Sequence, residues 1–236
     1  MPVPLRSAVV LGATGLVGGR LLSALASEQG SLACEGVVAL GRHASGLSRD
    51  RVKDVVADLA RPESYREYLG VDCVFCALGT TIKKAGSEAA FRRVDYEYPL
   101  TVAREALAAG ARRYVLVSAV GADAKSRVFY NRVKGELEEA LRALGFPRGL
   151  RVLHPSVLLG DRGESRPAEQ LAATLMRATG PLFAGALKKY RAISADDVAS
   201  AMITAARSDG DGVVVYEGES LFEAASLQKS SAQPQA

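Results

Sequence analysis

The sequence predicts a doubly wound α/β fold with a parallel sheet. Three observations carry this. Short apolar runs alternate with helix-period segments along most of the chain. The runs are continuous rather than alternating apolar with polar, as in strands covered on both faces. The first run ends in a glycine-spaced turn, Gly12-Ala13-Thr14-Gly15-Leu16-Val17-Gly18, and a helical pattern with Leu21, Leu22 and Leu25 follows at once.

The elements follow in order. Ala8–Leu11 is the first strand, Val37–Leu40 the second and Val52–Ala57 the third, closed by Asp58-Leu59. A helical stretch over 64–69 leads into a strand over 71–78, then a polar loop over 79–87. Phe91–Ala109 reads as a helix interrupted at Pro99 and ended by Gly110. Tyr114–Ser118 is the fifth strand; Ser126–Leu144 is a long helix stopped by Gly145 and Pro147. Arg151–Leu159 is the sixth strand. A charged loop over 161–167 precedes a helix to about Thr179, because Pro167 suits a first helical position. Val198–Ala206 is a helix opened by Asp196 and Asp197, and Val213–Tyr216 is the last strand. The polar segment from Ser226 is expected to be disordered. This gives a single domain over residues 1–225, with a small C-terminal substrate-side region, mainly 160–195, and a tail over 226–236.

Bulk properties exclude several classes. The 236 residues are 48% hydrophobic and 24% charged, a globular composition. A net charge of +4 from 30 basic and 26 acidic residues does not argue for nucleic acid. Cys34, Cys73 and Cys76 lie in or beside apolar runs, a reduced pattern rather than a disulfide framework. Cys73-Val-Phe-Cys76 has redox-motif spacing, but its place inside a strand predicts buried packing. Two histidines offer no metal site. No apolar run approaches the ~20 residues that span a bilayer. The expectation is a cytoplasmic protein without membrane or nucleic-acid partners. Either long helix can supply a homodimer face or pack its apolar stripe on the sheet.

The glycine turn suits a dinucleotide. Glycine lets the backbone turn sharply and come close to a ligand. The following helix start offers unpaired N–H groups to an anion. In such a site the residue ending the second strand meets the adenosine ribose, where an acid suits NAD and an arginine suits the 2′-phosphate of NADP. Here Gly41-Arg42 follows Leu40 and no acid comes before Asp50, which favours NADP(H) over NAD(H). Asp58, with Leu59, can meet the adenine. Ala77, Leu78, Gly79 and Thr80 end the fourth strand beside the ribose and phosphates.

Tyr130 and Lys134 stand four apart on a predicted helix and so share a face. A lysine ammonium near a phenol favours the phenolate. Such a tyrosine can pass a proton to or from a carbonyl oxygen. Ser118 ends the preceding strand, where a hydroxyl can orient that oxygen.

Gly12-x-x-Gly15-x-x-Gly18, Ser118 and Tyr130-x-x-x-Lys134 resemble the short-chain dehydrogenase/reductase superfamily, in its atypical or extended branch. Further stretches are similar to the group typified by the Tat-interacting oxidoreductase-like protein of animals: Cys76–Thr81, Phe91–Asp95, Ser118–Asp123, Phe129–Glu136 and Asp161–Pro167. The resemblance implies a Rossmann fold, NADP(H) binding and Ser118, Tyr130 and Lys134 as catalytic residues. It also implies Lys134 on the nicotinamide ribose, with His154, Pro155 and Ser156 along the nicotinamide. The chain departs from the superfamily at His154-Pro155, where Arg-Pro is frequent, and near Asp95, where asparagine is frequent. The expected function is NADP(H)-dependent hydride transfer on a small carbonyl or alcohol substrate. Its alternatives are an NADP(H)-binding sensor with little turnover and, less favoured because the region after residue 160 is short, a nucleotide-sugar epimerase or dehydratase. The loops over 81–87, 121–129 and 160–190 would form the substrate pocket, and Lys83, Lys84, Arg127, Arg162 and Arg166 make them basic.

Overall fold

A computed structural model describes residues 3–27, 34–47, 49–159 and 191–232. Seven strands form one wholly parallel sheet in the order β3-β2-β1-β4-β5-β6-β9. They are β1 (Ser7–Leu11), β2 (Gly36–Gly41), β3 (Val52–Val56), β4 (Cys73–Cys76), β5 (Arg113–Val117), β6 (Leu150–His154) and β9 (Val213–Glu217). A separate parallel pair joins β7 (Leu158–Leu159) to β8 (Ile193–Ser194). The strand order reverses between β1 and β4, and that crevice is where open α/β sheets bind ligands.

The sheet divides two cores. On one face β1 and β2 residues meet Leu21, Leu22 and Leu25 of α1 (Leu16–Ser27), with Val198, Met202 and Ile203 of α6 (Ala195–Arg207) and Leu221 and Ala224 of α7 (Glu219–Ala232). On the other, Val74, Cys76 and Leu116 meet Leu100, Val102 and Ala106 of α4 (Tyr98–Ala108) and Leu137 and Leu141 of α5 (Phe129–Leu144). The apolar stripes of α4 and α5 therefore pack on the sheet. Cys73 lies in the first core and Cys76 in the second, on opposite sides of the sheet. Burial pushes both thiols up, so the cysteine pair has the buried packing that its strand setting predicted.

Four segments depart from the sequence reading. The expected helix over 64–69 is two 3₁₀ turns, Pro62–Ser64 and Arg66–Tyr68. Local bonds close this segment too tightly for an α-helix: Ser64 Oγ donates to the Arg61 carbonyl and Ala60 N–H to Asp58 Oδ1. The expected strand over 151–159 breaks after His154, so β7 belongs to the second sheet. The helix expected from Phe91 begins earlier, as α2 (Ile82–Ala85) and α3 (Glu88–Arg92), because Thr81 and Ser87 act as N-caps. The expected disordered tail begins as helix, since α7 runs to Ala232: Leu221, Ala224 and Ala225 bury one face at helical spacing, and the helix continues past that contact. The expected charged loop over 161–167 and helix to Thr179 lie outside the described residues.

Two arginines sit wholly inside this frame. Arg113 donates to the carbonyls of Ala206, Ser208 and Gly210, and Arg151 to those of Gly210 and Gly212 and to Ser208 Oγ. They satisfy the carbonyls that α6 leaves at its C-terminus and fix the turn into β9. Burial pulls Arg113 down to about 10, so it stays charged at neutral pH.

Candidate active site

The glycine turn is required by its surroundings. Gly12 has φ +89°, and a Cβ there would come within 2.7 Å of the Leu78 nitrogen. A Cβ on Gly18 would lie 2.1 Å from the Gly12 carbonyl oxygen. The first glycine thus lets the turn cross the end of β4, and the third lets α1 seat against the turn. Gly12 N–H donates to the Leu40 carbonyl, which ties the turn to the end of β2.

A cavity of about 850 Å³ opens over these strand ends. One end is lined by Thr14, Gly15, Leu16 and Val17. Its floor is Ala77, Leu78, Gly79 and Thr80 from the end of β4. The other end holds Ser118, Tyr130, Lys134, Pro155 and Ser156. The structure therefore brings residues more than a hundred positions apart in sequence to one surface.

The charges at that end are compensated from behind. Lys134 is 4% exposed and its Nζ lies 2.7 Å from Asp95 Oδ1. The contact has ion-pair distance but not hydrogen-bond angles at Oδ1, so it is foremost a charge contact. Asp95 Oδ2 accepts the Thr80 N–H at 2.8 Å. Burial would strip the Lys134 proton, but Asp95 outweighs it, and the ammonium is held above the usual lysine range. Lys134 Nζ is 6.0 Å from the centroid of the Tyr130 ring, which packs on Phe91. The Ser118 hydroxyl donates to Glu138 on α5, and Glu138 Oε1 meets His154 Nε2 at 2.9 Å.

Asp95 reaches this place through a backbone device. Arg93–Glu97 forms a π-helical turn just before α4, with Pro99 in the first turn of that helix. A proline inside a helix crowds the carbonyl four residues back, here that of Asp95. The widened turn relieves the crowding and swings Asp95 inward, and π turns often mark functional sites. Pro99, read from sequence as an interruption, is the signal that could have located it.

Residues 12–146 match the model of a family described as NAD(P)H-binding. The chain belongs to the NAD(P)H-binding family. Protein FMP52, mitochondrial, of Debaryomyces hansenii is 37% identical over 217 residues, 89% of this chain and 92% of that one. Protein HTATIP2 of Rattus norvegicus is 39% identical over 171 residues, 71% of this chain and 69% of that one. Both are homologues of this chain. Among solved structures, a short-chain dehydrogenase/reductase superfamily protein from Agrobacterium tumefaciens with bound NAD superposes with TM-score 0.66 at 15% identity, over 89% of this chain and 77% of that one. The UDP-glucose 4-epimerase of Thermotoga maritima superposes with TM-score 0.66 at 15% identity, over 97% and 84%. At such identity these superpositions establish the Rossmann fold and nothing of substrate.

The cavity suits the nicotinamide dinucleotide of this family. Its volume is in the range of about 300–1,000 Å³ usual for ligand sites. Its glycine end presents a helix N-terminus, with donors left free for phosphate. Gly12, Ala13 and Gly18 shape that end without lining it. Other expected contacts do not meet the cavity. Arg42 is exposed beyond the end of β2. Asp58 is engaged by its own turn, through Ala60 N–H and Arg61 at 3.4 Å, and Leu59 is 2% exposed in the core. His154 turns away from the cavity toward Glu138 because two carboxylates attract it. Thr81 and Lys84, from the loop expected at the substrate pocket, line the cavity, as does Asp95, noted from sequence only as a departure from the superfamily; Arg20 and Ser23 line it and were not singled out from sequence. Arg162 and Arg166 lie outside the described residues.

The expectation of a cytoplasmic protein is overturned. The FMP52 homologues of Debaryomyces hansenii and Candida albicans, 37% and 32% identical, are named mitochondrial. Free buried cysteines report a reducing environment, which more than one compartment provides. Among the described residues no helix is long and apolar enough to cross a membrane.

Proposed function

We propose that the chain is an NADP(H)-dependent oxidoreductase acting on a small alcohol or carbonyl. The observation that carries this is the convergence of Tyr130, Ser118 and Lys134 at one end of a cavity whose other end is the glycine turn. When bound, the nicotinamide supplies or takes up the hydride. Tyr130 exchanges a proton at its phenol oxygen with the substrate oxygen. Lys134, kept charged by Asp95, maintains positive charge beside that phenol. Ser118 orients the substrate oxygen. Arg42 supports the NADP preference: it follows β2 directly, and the Leu40 carbonyl at the end of that strand is bonded to the glycine turn.

Two experiments test this reading. Tyr130→Phe removes the proton donor and little else. It should keep NADPH affinity while turnover on a panel of small ketones and aldehydes falls by about 10²–10⁴; full activity in the variant sinks the mechanism. A wild type that binds NADPH tightly but turns over nothing in either direction marks a cofactor sensor. Calorimetry should give NADPH about ten- to a hundredfold tighter than NADH, since a charge-assisted contact to the 2′-phosphate contributes about 1.5–3 kcal/mol. Arg42→Ala should close most of that gap. Equal wild-type affinities would overturn the NADP assignment.

A further inference from the structure

The end of the sheet opposite the active-site cavity carries arginines that the proposed chemistry does not use. Arg6 stands just before β1, Arg112 just before β5, Arg113 at its first position and Arg148 shortly before β6. All four therefore meet at the N-terminal strand ends. With Asp72, which precedes β4, they line a cleft of about 200 Å³. Its backbone is tied together. The Arg112 and Arg113 N–H groups donate to the Asp72 carbonyl, the Arg148 N–H to the Arg112 carbonyl, and Arg113 Nε to the Arg148 carbonyl. The Asp72 carboxylate is engaged by backbone too, since its Oδ2 accepts the N–H groups of Arg6 and Ser7.

Arginines have an ordinary reason to gather here. Helix C-termini end on this side of a parallel sheet and attract cations. Arg113 and Arg151 answer that need through the carbonyls described above. Arg6, Arg112 and Arg148 do not: among the described residues their guanidinium groups make no hydrogen bond and no ion pair, although Asp72 shares the cleft. Arg148 is half-buried, and burial, Arg151 and then Arg148 act together to pull Arg113 down. Like charges at this range repel, and an oxyanion between them removes the repulsion while taking the free N–H donors. Planar guanidinium groups match a phosphoryl group with two parallel hydrogen bonds. On its outer side the cleft continues past Asp209 and Asp211 into a space of about 490 Å³. Those carboxylates repel a long polyanion, so the arrangement suits one small dianion and not a nucleic acid.

We propose that this cleft binds one phosphoryl dianion, as inorganic phosphate or as the monoester group of a small molecule, between Arg6, Arg112 and Arg148. The site shares no lining residue with the dinucleotide cavity and does not depend on the oxidoreductase reading. Arg113 adds charge at its floor while keeping its carbonyl partners. The arginines come from segments far apart in sequence, so the site exists only in the folded chain. A ligand that binds only the folded chain raises its melting temperature as the ligand concentration rises.

Thermal melting at constant ionic strength, with chloride exchanged for inorganic phosphate, tests this. The melting temperature of wild type should climb with phosphate concentration, and the double variant Arg112→Gln, Arg148→Gln should lose most of that climb. General effects of phosphate on folded proteins act on both alike, so the difference between them is the readout. In calorimetry each single variant should weaken inorganic phosphate about tenfold, the share of one charge-assisted contact. Arg6→Gln changes an exposed side chain, should weaken phosphate by a similar factor, and decides the matter if the double variant does not fold. Glycerol phosphate distinguishes the two sources: tighter binding than inorganic phosphate assigns the monoester, weaker binding the free anion. A wild type that responds to phosphate no more than the double variant does overturns the proposal. Calorimetric binding of phosphate that is equally tight in wild type and in all three single variants places the anion elsewhere, such as at the glycine turn, and overturns it too.

Discussion

Asp95 is the residue on which the site turns. It is 1% exposed, and its carboxylate serves both the Lys134 ammonium and the Thr80 N–H at the cavity floor. Gly79 lies so close that a Cβ there would meet Asp95 Oδ1 at 3.3 Å and Lys134 Nζ at 3.7 Å. Removing one partner of a buried pair strands the other charge, which costs about 3–5 kcal/mol. Asp95→Ala should therefore lower the melting temperature sharply. Adding Lys134→Met should recover much of the loss, because two apolar groups leave no charge stranded. A double-mutant cycle checks this. Strictly additive costs would mean that the two side chains do not compensate each other in the folded protein.

At the scale of elements, α5 is the organiser, and Gly135 decides where it sits. The helix presents Tyr130, Lys134 and Glu138 at four-residue spacing, on one face, toward the ends of β4, β5 and β6. Glycine within a helix ordinarily costs about 1 kcal/mol relative to alanine. At Gly135 a Cβ would stand 2.1 Å from the Ala124 nitrogen and 2.3 Å from the Asp123 carbonyl carbon, both backbone atoms that cannot swing aside. Gly135→Ala should thus destabilise, by about 1–3 kcal/mol, where propensity alone predicts a gain. Urea unfolding settles the sign, and a stabilised variant would remove this close packing as the reason for the glycine. The sequence made α5 legible, along with Tyr130 and Lys134, because a helical face has a fixed period. It made the strands legible because both faces are covered. It did not reveal Glu138, nor that Asp95 pairs with Lys134, since periodicity gives the face of an element and not the neighbour that face meets. The two buried arginines were hidden for the same reason: their partners are carbonyls far along the chain, which leave no mark on residue type.

For the whole molecule, the glycine turn, the parallel sheet and the shared face of Tyr130 and Lys134 were readable because each depends on local backbone geometry or on one element. The network behind the cavity was not, because it joins β5, α5, β6 and β9 only after the sheet has formed. That network makes global stability depend on pH in a direction the structure fixes. His154 has its folded pKa raised above the ordinary 6.5, burial working against its charge and the Glu138 and Glu217 carboxylates outweighing burial. A raised basic group favours folding while the unfolded chain would also be protonated. Its contribution is therefore complete below about pH 6.5 and is lost as pH rises through the folded value. A second loss follows at high pH, where Tyr65, pushed up to about 12 mainly by burial, and the buried Tyr114, Cys73 and Cys76, pushed up by the same cause, resist ionisation in the fold but not in the unfolded chain. Melting temperature should accordingly fall in two separate steps on the alkaline side. His154→Gln should flatten the first step and leave the second, because Tyr65 lies under the third strand's end and shares no partner with His154. A first step that survives His154→Gln unchanged would assign the loss to some other group and detach the buried network from the stability of the fold.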